Sequence, residues 1–201
     1  MANFMHSPYN TPLTCLLEAF LMSLISRPLR LATQIQAGNA LLGRACAWLT
    51  LFLVLGTACV VVLRYAFGIG ATALQEAVMY AHALTFMGTA AWALQRQAHV
   101  RVDIFYQNFS TRKKALVDTS GHLLLLLPMC LFLGWNSWGY VANSWAIQET
   151  SGEAGGLGFM YLQKSIILLL VGSLLLQCCA DLVLLMHQLR TPTSPVEAQH
   201  E

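Results

Sequence analysis

Residues 73–94 read ALQEAVMYAHALTFMGTAAWAL and are followed, after Gln95, by RQAHVRVD, residues 96–103. The first run carries one formal charge, Glu76. As a helix rising about 1.5 Å per residue it reaches roughly 33 Å, enough to cross a hydrocarbon core of about 30 Å. The second run concentrates two arginines, a histidine and an aspartate just past the apolar block. Chains keep such clusters at the cytoplasmic edge of a membrane.

Composition extends this reading to the whole chain. Of 201 residues 57% are hydrophobic and 10% charged, whereas a soluble domain carries about 25% charged residues. The shortage is concentrated in long blocks, which predicts an all-α membrane protein. A net charge of +2, with the basic residues at block edges and no interleaved aromatics, gives no footing for nucleic acid. The six cysteines lie in or beside apolar blocks, where a small weakly polar side chain is tolerated. Without a CxxC, CxxCH or Cys/His ligand spacing, neither zinc nor covalent haem is indicated.

Four spans are expected, at about residues 45–63, 73–94, 115–142 and 161–187, forming a transmembrane domain over 41–190. The glycine-bearing turn FGIGATA, 66–72, is too short to hold a domain, so the second helix returns beside the first. Small residues of the second span, Thr85, Gly88 and Ala91, share one face at spacings of three. There a backbone can approach a neighbouring helix closely, and Gly88→Leu is expected to hinder assembly with a partner. Pro128 is expected to kink the third span, and Trp135, Trp138, Tyr140 and Trp145 crowd its far end like an aromatic belt. Arg27, Arg30 and Arg44, with the basic loop Arg96, Arg101, Arg112, Lys113 and Lys114, fall on one side if the spans number four. The positive-inside rule then places both termini in the cytoplasm, and Glu149 and Glu153 opposite.

Residues 1–40 form an extension whose apolar run LTCLLEAFLMSLI, 13–25, is too short to span. It is expected to make a short interfacial helix stopped by Arg27, Pro28 and Arg30, lying on lipid or docking a partner. The polar tail 191–201 is expected to be disordered.

Glu76, Asp118, Lys164 and Asp181 lie within about two turns of expected span ends, where side chains reach interfacial water. Arg64 and Glu76 flank the same short turn, and a pairing between them is expected to hold the first two helices in register. Two bundle histidines, His82 and His122, raise a second reading, a haem-binding membrane anchor for a redox enzyme. They differ in depth by roughly 10 Å, and one haem needs an axial pair nearly level. A proton-coupled exporter would need a deeper acid than Glu76. His82 is expected to be dispensable for transport.

The combination LRYAFG, 63–68, an acid near the start of the second span, and FMGTAAWALQRQAHVRVD, 86–103, resembles the small DctQ-type membrane subunit of tripartite ATP-independent periplasmic (TRAP) transporters. Arg64, Glu76, Phe86, Gly88, Arg96, His99, Val102 and Asp103 match the family pattern. Leu74 stands where the family tends to have Trp, and Gln75 in place of a first acid. The resemblance implies a non-enzymatic, cofactor-free subunit of the bacterial inner membrane, embedded in lipid. It would scaffold a large membrane subunit that takes up an organic anion on an ion gradient, and a periplasmic solute-binding protein would deliver the solute. In that setting Arg64, Glu76, Phe86, Gly88, Arg96, His99 and Asp103 are the candidates for helix packing or the partner interface.

Overall fold

The computed structural model describes residues 12–98 and 109–190, with side chains from 27 to 189. Every regular element among them is helical. Helix α1 is Pro12–Ala66 and α2 is Thr72–Gln95. Helix α3, Thr111–Ala146, contains a π-helical turn at His122–Leu126, and α4 is Met160–Arg190. Four helices are long and apolar enough to cross a membrane.

One local expectation is corrected. The run 13–25 is not a separate short helix: α1 continues from Pro12 through Pro28 to Ala66. A proline removes one donor and crowds the carbonyl four residues back, but in a helix 55 residues long that is a single missing bond, and membrane helices tolerate it. At Pro128 the helix is locally irregular. The turn before it is π-helical, so that Leu127 N–H donates to His122 O, five residues back. The wider turn absorbs the missing donor and the bulk of the ring just beyond it.

Helix ends are set by backbone chemistry. Gly68, at φ 68°, turns the chain after α1 so that Ile69 N–H returns to Leu63 O at 3.0 Å. Helices α2 and α3 close alike. Ala98 donates to Ala93 O and Gln97 to Leu94 O, while Glu149 donates to Ser144 O and Gln148 to Trp145 O. Both are Schellman closures, and their left-handed residues are glutamines, Gln97 at φ 52° and Gln148 at φ 47°.

The hub is α4. Helix α4 packs against α1, α2 and α3, α1 and α2 pack against each other, and the tertiary packing of α3 is with α4. The interior side of α4 is built from Val171, Ser173, Gln177, Cys178 and Ala180. Facing it on α3 are Cys130, Ser137, Val141 and Ser144, with Gly134 so close that a Cβ there would lie 3.2 Å from Val171 Cγ1. Alternating steps of four and three mark a heptad seam of small residues. Elsewhere the helices present large apolar side chains outward, among them Leu51, Val54, Leu124 and Phe132, as a protein dissolved in lipid does.

Candidate functional site

The α1–α2 seam is glycine on both sides. A Cβ at Gly43 would lie 2.5 Å from Trp92 Cβ, one at Gly88 2.6 Å from Cys46 Sγ, and one at Gly56 2.7 Å from Val78 Cγ2. As the α1 contacts advance from 43 through 46 to 56, their α2 counterparts retreat from 92 through 88 to 78, which defines an antiparallel register. Thr85 Oγ1 is 2.8 Å from Ala81 O and 3.4 Å from Cys46 O. The small-residue strip is therefore real, but Gly88 is occupied inside the chain by Cys46. Gly43 and Gly56, its counterparts on α1, were not singled out in the sequence. Their signal, small residues opposite a small-residue strip, needs the register to be read.

At the end carrying the 67–71 and 147–159 connections, Glu76 organises a clamp. Its Oε1 accepts a short hydrogen bond from Ser151 Oγ and its Oε2 accepts Leu157 N–H at 2.6 Å. A Cβ on Gly156 would stand 2.7 Å from Glu76 Oε1, so the bare glycine is what lets the loop close on the carboxylate. Arg64 is exposed, and the expected Arg64–Glu76 pair is not formed. Glu76 is the fifth residue of α2 and its carboxylate turns to the 149–158 loop, where backbone and hydroxyl donors are already fixed. Beside the clamp, Lys164 Nζ donates to Glu149 and lies 4.2 Å from the Tyr140 ring centroid. The Lys164 ammonium holds the Glu149 carboxyl below the usual carboxylate range. Trp145 Nε1 donates to Ser165 Oγ at 2.7 Å and its ring meets Tyr161 edge-on, centroids 4.7 Å apart. Part of the aromatic belt thus ties α3 to α4.

Toward the opposite end runs a polar network that the sequence did not reveal. Asn39 Nδ2 donates to Gln177 Oε1 at 3.0 Å and Ser173 O at 3.2 Å. Gln177, fully buried, donates to Asp181 Oδ1 at 2.9 Å, and Gln36 donates to the same oxygen at 3.2 Å. His122 Nε2 faces Asp181 Oδ2 at 3.4 Å, and its Nδ1 is 2.7 Å from Asp118 O. This chain of amides, imidazole and carboxylate joins α1, α3 and α4. The four-residue spacing of Gln177 and Asp181 was the available signal. Their α1 partners lie in the segment taken as an extension.

The motif residues divide accordingly. Gly88 and Glu76 hold the fold. Arg96 lies over the Trp92 ring at 5.6 Å, and Trp92 covers Gly43. Arg64 and Phe86 point outward, and His99, Val102 and Asp103 fall outside the described residues. The histidines are not brought together: His122 is committed to Asp181 between α3 and α4, whereas His82 is exposed on α2. Nothing in this arrangement favours a haem site, and no group of three or more potential metal ligands occurs among the described residues.

Four apolar helices, held together by small-residue seams and internal polar contacts, define a multi-pass helical membrane protein. Residues 53–188 match the family model of the tripartite ATP-independent periplasmic transporters, DctQ component. Because that match covers most of the sequence, the chain belongs to the DctQ family, the small permease subunits of TRAP transporters. Comparisons with curated proteins and with solved structures found no match.

Proposed function

We propose that this chain is the stationary scaffold of its transporter. It braces a large membrane subunit that takes up an organic anion, driven by an ion gradient, after delivery by a soluble binding protein. The observation that carries this reading is where the polar side chains go. Glu76, Asn39, Gln177, Asp181 and His122 are engaged in holding helix to helix or loop to helix. A proton-coupled carrier needs an acid that loses and regains its partners as it works, and Glu76 sits near a helix start inside a fixed clamp. By the positive-inside rule, Arg27, Arg30 and Arg44 of α1, Arg96 and the first turn of α3 favour the cytoplasm of a bacterial inner membrane for the end opposite Glu76, which leaves the Glu76 clamp on the periplasmic side.

Reconstitution tests this directly. Proteoliposomes holding this chain alone should pass no organic anion under a sodium or proton gradient. Adding the large subunit and the binding protein should restore uptake, and omitting this chain should abolish it. Flux through the chain alone would refute the scaffold role.

A further inference from the structure

One outward face differs from the others. The exposed residues of α2 are Gln75, Met79, His82 and Phe86, at steps of four, three and four, one continuous stripe on a helix. Met79 is 53% and Phe86 72% exposed. His82 lies near the midpoint of this 24-residue helix, as far from either surface as the span allows. The outward positions of α1 level with it in the antiparallel register are apolar, among them Leu51, Phe52, Val54 and Leu55, and suit lipid tails. An imidazole does not: in hydrocarbon its N–H and lone pair find no partner, and ionisable side chains at that depth face protein or water. Helices α1 and α4, the packing partners of α2, leave this stripe uncovered.

Resting on the small-subunit reading, we propose that the Gln75–Met79–His82–Phe86 face of α2 seats a membrane helix of the transporter's large subunit, which places a hydrogen-bonding side chain opposite His82. Met79 adapts to the partner surface, Phe86 supplies a large apolar anchor, and Gln75 reaches the polar edge of the contact. The family membership supplies a membrane partner. The mid-depth imidazole selects the face on which a partner, rather than lipid, must sit. His82 is then an assembly residue, contrary to the expectation that it is dispensable.

The test is photo-crosslinking in the intact transporter, with a benzophenone amino acid placed in turn at Met79, His82, Phe86, Val54 and Leu124. Adducts to the large subunit from the three α2 positions, but not from Val54 or Leu124, are expected. Adducts to a second, differently tagged copy of this chain, adducts to lipid alone at position 82, or large-subunit adducts from Val54 or Leu124 instead would overturn the assignment. His82→Leu should cut co-purification of the large subunit roughly fivefold, the scale of one interhelical hydrogen bond, and His82→Asn should restore most of it. Full recovery with leucine would also overturn the proposal. Should the unaltered chain fail to bring down a large subunit at all, the small-subunit reading fails first, and the proposal with it.

Discussion

At Gly88 the seam leaves room for a hydrogen and nothing larger, because Cys46 Sγ occupies the place of a Cβ. Gly88→Ala should therefore destabilise the purified protein by about 1–3 kcal/mol, the usual scale of overpacking, read as a lower thermal midpoint in detergent. Gly172, also helical, has nothing within 4 Å of its would-be Cβ. Gly172→Ala should be neutral, or stabilising by up to about 1 kcal/mol from helix propensity. Equal effects at the two glycines would contradict the seam. Gln148, held at φ 47°, gives the converse case. A non-glycine residue there carries a steric penalty of about 1–2 kcal/mol, so Gln148→Gly should raise the midpoint while leaving the α3 terminus in place.

Between elements, the contacts are polar where the seams are not. Asn39→Leu removes the donor that α1 offers to Gln177 and Ser173 of α4. The cost should be near 1 kcal/mol, since interhelical hydrogen bonds in membranes average about 0.6 and reach about 1.7. A double-mutant cycle with Gln177→Leu should show coupling, and strict additivity would place the two amides in separate environments. The 147–159 loop answers to pH. Glu149 has its pKa lowered by Lys164, so the loop contact contributes fully above the ordinary glutamate value near 4.5 and is lost as pH falls through the lowered one. Hydrogen exchange at the loop amides, corrected for intrinsic rates, should hold steady from neutral to mildly acidic pH and rise only in stronger acid. Replacing Glu149 with Gln should reduce that transition and leave the share carried by the Glu76 clamp.

For the molecule as a whole, three mutually packed helices with α3 laid against the hub make an open assembly, with long outward faces on α1, α2 and α3. Such a body suits being built into something larger. The orientation proposed from charge is checked by labelling. Glu153→Cys should react with a membrane-impermeant maleimide in intact spheroplasts, and Arg112→Cys only after permeabilisation. The reverse pattern would invert the proposed layout.

That the chain makes four helices long and apolar enough to cross a membrane could be read from the linear sequence, although the first runs well beyond the expected 45–63. That reading rests on a local quantity, the length of an apolar run. What each residue touches was another matter. Glu76 selected Ser151 and Leu157 over the nearer Arg64, and Gly88 met Cys46 within the chain. Helix α4 became the centre, and Asn39, in what looked like an extension, found Gln177 across a distance of 138 residues in sequence. Apolar periodicity says which segments leave water, and in lipid nearly every face is apolar, so it does not say which faces meet. That was decided by the fit of glycines against side chains, and by buried amides that had to find partners where no water reaches.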